Sequence, residues 1–355
     1  MAIAKDALSF LKELLQQPSP SGFEVPAQAV VRRRMKAVAD TVTTDVHGNV
    51  IGAINERASL KVMLAGHVDE IGMMITHIDS NGYLYVATIG GWDPVQAVGQ
   101  RIQVLAAKGV IPGVIGRKPI HLMEASEKSK ELKIEDLWID IGAKDKKDAL
   151  KAVAVGDPAV IVPEFIELRN DLIAARGLDN RIGSWVVTEV LKYLQGKHPH
   201  VAVYAVSTVQ EEIGLRGAIT STFNVHPHVG IAVDVGFASD CPTIDPKRVG
   251  DIGLNRGPIL HQGPNINPVI GKLLCETARR KRIPWQMQAE PRSSGTDANA
   301  MQVVRGGCAA SLVSIPNRYM HSPVEVISLR DLDNAVRLIG ETILALKGNE
   351  SFVPG

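Results

Sequence analysis

The sequence predicts an α/β protein in which a mostly parallel sheet is flanked by helices and carries an inserted, small β-barrel-like domain. Three observations lead there. Apolar runs at residues 61–66, 201–209, 229–233 and 308–315 have the length and β-branched content of strands buried on both faces. Helical apolar spacing accompanies them, notably at 182–194 and 268–282. Residues 72–163 break this alternation with short β segments punctuated by glycine. Strands joined through helices by right-handed crossovers form a parallel sheet covered on both faces, and ligands bind beyond the carboxyl ends of its strands.

From the N-terminus, Ala7, Leu8, Leu11, Leu14 and Leu15 give residues 5–16 an amphipathic helical pattern, closed by Pro18 and Pro20. Ser21 and Glu24 have capping-box spacing, so a second helix is expected to run to about Ala39. Its Arg32, Arg33 and Arg34 read as a solvated face, because no second basic patch accompanies them. The strand at 61–66 leads directly into His67, Val68, Asp69 and Glu70. Asn81-Gly82 then marks a hairpin, and Gly90, Gly91, Gly99, Gly109, Gly113 and Gly116 separate further short strands. The charge-rich stretch 128–151 reads as surface, and the α/β pattern resumes near Leu172. The expected organisation is a discontinuous α/β domain, residues 1–71 and 164–355, interrupted at 72–163 by a compact β domain.

At roughly 150 residues per domain, 355 residues agree with two units. With 45% apolar and 22% charged residues the chain can bury a core, which excludes disordered and collagen-like classes. A net charge of +1 provides no excess to recruit nucleic acid or an anionic membrane. Cys241, Cys275 and Cys308 are too few for a disulfide framework and read as small hydrophobes in a reducing compartment. The first residues lack the order of a secretory leader, and no apolar stretch approaches the ~18–20 residues of a membrane span. A cytoplasmic protein is expected.

The strand ends carry one kind of chemistry. His67 and Asp69 follow the first run, Glu211 and Glu212 the second, Asp234 the third, and His321 the fourth; Asp179 precedes the helical pattern at 182–194. Carboxylates and imidazoles without thiols suit zinc, cobalt or manganese in a hydrolytic site. So many carboxylates in one cleft exceed the charge of one cation. Two divalent cations about 3.5–4 Å apart would offset them, acidify a shared water and polarise a carbonyl under attack. Adjacent side chains point to different sides, so Glu212 is read as a metal ligand and Glu211 as the group that moves protons. Asp69 falls on the same side of an extended chain as His67 and is suited to holding its tautomer. Taken singly, each residue reads better as a satisfied or solvent-facing polar group than as a ligand. Their coincidence at several strand ends is what points to a metal.

The segments Ala65-Gly66-His67-Val68-Asp69-Glu70, Gly177-Leu178-Asp179-Asn180-Arg181, Gln210-Glu211-Glu212, Ala232-Val233-Asp234 and Asn317-Arg318-Tyr319-Met320-His321 occur in order. Together they resemble the M42 metallo-aminopeptidases, which include glutamyl aminopeptidases, deblocking aminopeptidases and the tetrahedral TET peptidases. The resemblance implies that His67 and Asp234 bind one metal, that Glu212 and His321 bind the other, and that Asp179 bridges them. It implies that Glu211 shuttles protons, that Asp69 orients His67, and that the Asp179–Asn180 peptide is cis. The metals implied are two Zn²⁺ or Co²⁺ ions per subunit, with Mn²⁺ a third candidate. The implied reaction removes N-terminal residues from short peptides with a free amine. The implied assembly is a dimer built through the inserted domain, joining into a tetrahedral dodecamer.

Gly295 and Thr296 resemble the family's loop beside the substrate pocket, although a plain turn before a helix explains them equally. Gly236 and Phe237, just past Asp234, are candidates for shaping the pocket of the first side chain. The remaining histidines, His261 among them, read as structural or exposed. Three rival readings exist. An M20-type carboxypeptidase or amidohydrolase would carry its extra domain between the later ligands, whereas here the long gap lies between Asp69 and Asp179. A glycosidase would need two carboxylates and no metal pair. A binding or scaffold protein would have no need of both ligands and base.

Overall fold

The computed structural model describes residues 3–355; Met1 and Ala2, with which the expected α/β domain begins, lie outside them. The four apolar runs form the strands Lys61–His67, Ala202–Thr208, Val229–Phe237 and Ala309–Asn317. These lie side by side and mutually parallel at the centre of an eight-stranded sheet. Thr41–Thr44 and Val50–Ile54 extend it antiparallel beyond Ala202–Thr208. Ile259–Gln262 and Gln286–Ala289 extend the other side, the first antiparallel to Ala309–Asn317. The sheet is therefore parallel where it is most apolar and mixed at its flanks.

Period-two alternation divides the central strands between two cores. Val62 and Leu64 face the larger core, covered by the helices Lys5–Gln16, Val25–Lys36, Leu178–Leu194, Pro268–Lys281 and Leu329–Ala345; Met63 and Ala65 face a smaller one, covered by Arg216–Val225 and Asp297–Val303. Fully shielded side chains such as Leu11, Leu64 and Ile339 each contribute about 1.5–3 kcal/mol by leaving water.

One close approach matters for the site. A Cβ on Gly66 would stand 2.3 Å from the Gly183 carbonyl carbon, so strand and helix touch backbone to backbone. The Ser184 hydroxyl donates to the Gly66 carbonyl at 2.7 Å across that contact. His67 is thereby brought against the start of the helix that carries Asp179.

The first helix has the expected bounds. The second does not, because Ser21 makes no cap: its hydroxyl donates to Asp69 Oδ2 at 2.7 Å, and the helix ends at Lys36. Arg34 is also no solvated group, since it pairs with Asp6 and with the buried Glu189.

Residues 72–161 hold a closed, antiparallel six-stranded barrel, ordered Gly72–Ile78, Leu84–Ile89, Trp138–Asp140, Gly109–Gly116, Arg101–Ala106 and Pro158–Ile161. Its own core includes Met73, Leu84, Ile102 and Ile139. The Asp79 carboxylate accepts from the Asn81 and Tyr83 amides, and Gly82 takes the positive φ that the turn requires. The stretch 128–151 is not all surface, since Trp138–Asp140 is a barrel strand and Ile139 is buried. A small antiparallel sheet, Phe165–Glu167, Leu172–Ala175 and Glu325–Ser328, closes the molecule beneath the site. No helix among the described residues is long and apolar enough to cross a membrane. The three cysteines are free and half-buried rather than buried.

Candidate metal centre

His67 ends its strand, and Asp234 lies near the end of its neighbour. Glu211 and Glu212 occupy the turn that follows Ala202–Thr208. Asp179 opens the helix Leu178–Leu194, where Asp179 and Asn180 leave helical geometry and their shared peptide is cis. His321 sits in the loop after Ala309–Asn317, with a positive φ. The fold thus gathers at one sheet end residues that are up to 254 positions apart, from His67 to His321 (321 − 67).

Both imidazoles are held in the same manner. His67 Nδ1–H donates to the Asp69 carbonyl at 3.1 Å, with the Asp69 carboxylate at 3.4 Å. His321 Nδ1–H donates to the Gly91 carbonyl at 2.9 Å. In these tautomers each Nε2 turns a lone pair toward carboxylates. His67 Nε2 lies 3.3 Å from Asp179 Oδ1, 3.6 Å from Glu211 and 3.8 Å from Asp234. His321 Nε2 lies 3.3 Å from Asp179 Oδ2 and 3.5 Å from Glu212. One oxygen of Asp179 therefore faces each imidazole. Donor atoms of His67, Asp179 and Asp234 lie within 4.8 Å of one another, as do those of Asp179, Glu212 and His321, and of His67, Glu211 and Glu212.

Acceptors facing acceptors need positive charge between them, either protons or cations. Burial opposes a charge on His67, yet Glu211, Asp179 and Asp69 raise its pKa well above the ordinary imidazole value. His321 is pushed up to about 11 by its contacts with Asp179 and Glu212. Burial, reinforced by neighbouring carboxylates, lifts Glu211 and Asp234 well above the usual range and lifts Glu212 as well. Burial also acts on Asp179, but the two imidazoles outweigh it and hold that carboxyl below its usual value. An oxygen-and-nitrogen donor set this dense, around two adjacent positions that share one carboxylate, fits a pair of divalent cations.

Several supporting contacts went beyond what the sequence signalled. Glu325 is buried; its two oxygens accept from the Asp179 and His321 backbone N–H groups, both at 3.0 Å. Asp69 accepts from the Glu211 and Glu212 amides at 3.0 and 3.2 Å, so it fixes that turn as well as facing His67. Buried Glu70 pairs with Arg176 and Arg181, and Arg181 reaches the Leu15 and Gln17 carbonyls, tying the N-terminal segment to the site. Gly91 belongs to the barrel's connecting loop; the paired glycines at 90–91 were its only mark in the sequence.

A cleft of about 240 Å³ opens beside the cluster and is lined by Gly236, Phe237, Gly295 and Thr296 as well as by Asp179, Glu211, Glu212, Asp234 and His321. His261, read from the sequence as structural or exposed, is buried in its wall, and Gln288 and Glu290, which sequence reasoning passed over, also line it.

Residues 48–338 match the family model described as M42 glutamyl aminopeptidase. Lysyl aminopeptidase of Pyrococcus furiosus is 39% identical over 95% of this chain and 96% of its own length. The TET aminopeptidase of the marine sediment archaeon Thaumarchaeota archaeon SCGC AB-539-E09 superposes with a TM-score of 0.92 at 34% identity, over 97% of this chain and 98% of its own. The Pyrococcus horikoshii TET1 peptidase, described as assembling into a tetrahedron or a large octahedral shell, superposes with a TM-score of 0.86 at 31% identity, over 96% of this chain and all of its own. Matched along nearly its whole length in sequence and in fold, the chain belongs to the M42 aminopeptidase family.

Proposed function

We propose that the chain is a metal-dependent aminopeptidase that removes N-terminal residues from short peptides at a dinuclear centre. The observation that carries this reading is the pair of imidazole Nε2 atoms facing opposite oxygens of Asp179, with Asp234 and Glu212 completing the two donor sets. In it, His67, Asp179 and Asp234 hold one divalent cation, and Asp179, Glu212 and His321 hold the other. When bound, such a pair supplies Lewis acidity for the scissile carbonyl and for water. Glu211, beside His67 and not needed in either set, takes the proton of the attacking water and returns it to the leaving amine. Asp69 keeps His67 in the tautomer that presents Nε2. The acidic floor of the cleft suits a free α-ammonium group, which selects peptide ends over internal bonds. Gly236, Phe237, Gly295 and Thr296 shape the space for the first side chain.

Self-association belongs to the same proposal: the barrel joins two subunits, and dimers assemble into a tetrahedral dodecamer in the cytoplasm. The shells described for the Pyrococcus horikoshii TET1 peptidase support it, and light scattering tests it. The decisive experiment on function strips the protein with a chelator and assays a panel of aminoacyl and N-blocked amides. Activity on free-amine substrates alone, abolished by chelation and restored by Zn²⁺ or Co²⁺, is the expected result. Activity that survives complete metal removal would reject the reading in favour of carboxylate-only hydrolysis.

A further inference from the structure

Resting on the aminopeptidase reading, we propose that the cleft selects a basic first residue, lysine or arginine, and that Glu290 is the residue that recognises its charge. The cleft runs across the sheet face, away from the candidate metal ligands. Asp234 stands opposite Ser314 on the neighbouring strand, Ser314 shares a 2.9 Å hydrogen bond with His261 Nε2, and His261 stands opposite Gln288. Glu290 follows two residues later, so the ligand cluster occupies one end of the cleft and Glu290 the other. Phe237, Leu312 and Met320 lie along it and suit the aliphatic stem of a long side chain.

The charge balance points one way. Among the described residues no lysine or arginine lines the cleft, and outside the candidate metal centre Glu290 is its one acidic residue. Partial burial raises the pKa of the Glu290 carboxyl, and no cation among the cleft-lining residues faces it. Beside it, Gln288 Oε1 is shielded from solvent and accepts no hydrogen bond. An ammonium or guanidinium group answers both acceptors. A glutamate side chain would meet a like charge and an unfilled acceptor, and a leucine would leave both unanswered. The backbone that carries this carboxylate is held in place. The Glu290 N–H donates to the Gln262 carbonyl at 2.9 Å, and a Cβ on Gly263 would stand 1.8 Å from the Glu290 carbonyl oxygen, so the backbones are in contact there.

The test compares kcat/KM for lysyl, arginyl, leucyl and glutamyl amides on the metal-loaded protein. It also measures thermal protection by free L-lysine against free L-glutamate. Wild type is expected to favour lysyl and arginyl amides and to be protected more by L-lysine. Glu290→Gln should lower the lysyl-to-leucyl ratio about tenfold and level the two protections, and Glu290→Arg should raise glutamyl above lysyl. A wild type that prefers leucyl amides, or a ratio unmoved in Glu290→Gln, overturns this inference and leaves the aminopeptidase reading standing. Failure to cleave any free-amine substrate overturns that reading, and this one with it.

Discussion

Replacing Glu325 by glutamine tests whether one buried carboxylate holds two candidate metal ligands in place. Its oxygens accept from the Asp179 and His321 N–H groups at 3.0 Å each, and the residue is only 2% exposed. Glutamine keeps one carbonyl acceptor but turns its NH₂ toward the second N–H, leaving a buried donor unpaired at a cost of about 1–3 kcal/mol. An opposing effect exists. Burial, and then the Asp179 charge, push the Glu325 pKa well up, so removing the charge relieves repulsion. Folding stability should therefore fall by only about 1 kcal/mol. Metal affinity should respond more, because both misplaced residues belong to the set completed by Glu212; loss of such an orienting partner costs about 10–100-fold. Zn²⁺ titration of chelator-stripped protein against a chromophoric competitor reads this directly, with a thermal melt alongside. The larger loss should fall on one of two binding steps. Two steps indistinguishable from wild type would refute the idea that Glu325 positions Asp179 and His321.

Glu211→Gln should retain both metals by elemental analysis while kcat drops about 10²–10⁴-fold; turnover near wild type would remove Glu211 from proton transfer. Gly66→Ala forces the strand away from Gly183 and should cost about 1–3 kcal/mol or more, seen as a lowered Tm with early loss of metal. An unchanged Tm would mean that the two backbones need not touch. Burial holds His261 at about 4, against about 6.5 when unfolded. Between those values the unfolded chain binds a proton that the folded chain does not, so stability is whole above pH 6.5 and declines toward pH 4. The full effect is about 3 kcal/mol. Urea melts at several pH values should show His261→Gln with a flatter profile than wild type, and parallel profiles would contradict a buried neutral His261.

The central sheet was legible because its chemistry is local. Residues 229–233 are apolar at every position, as a strand covered on both faces must be, and the strand found there runs on to Phe237 through Asp234. The flanking strands were not legible. Thr41–Thr44 is polar and mostly exposed, and Gln286–Ala289 alternates without a strong apolar face, so their sequences resemble loops. Ser21 shows how a correct local pattern loses to tertiary structure. Its hydroxyl fits a cap, but the buried Asp69 carboxylate needs donors more than an exposed helix end does. Asp179 had no strand-end signal, and its role came through resemblance alone. Glu325 and Glu290 were invisible because a lone glutamate announces nothing until its neighbours are known.

The insertion is more than an appendage to the α/β unit, and His321 is the reason. The other four candidate ligands have side chains at most 7% exposed, held by strands, by the helix start or by the Glu211–Glu212 turn, whereas His321 lies in a loop and its side chain is 36% exposed. A loop residue with a positive φ needs an outside contact to fix its ring, and the Gly91 carbonyl from the barrel's connecting loop provides it. The same loop closes on Glu212, since a Cβ on Gly90 would stand 3.4 Å from its carboxylate. Both side chains that complete the second donor set are thus packed by a segment from a different folding unit. A barrel displaced even slightly would release the His321 tautomer and leave the set of His67, Asp179 and Asp234 in place, so the two halves of the centre differ in their dependence on the insertion.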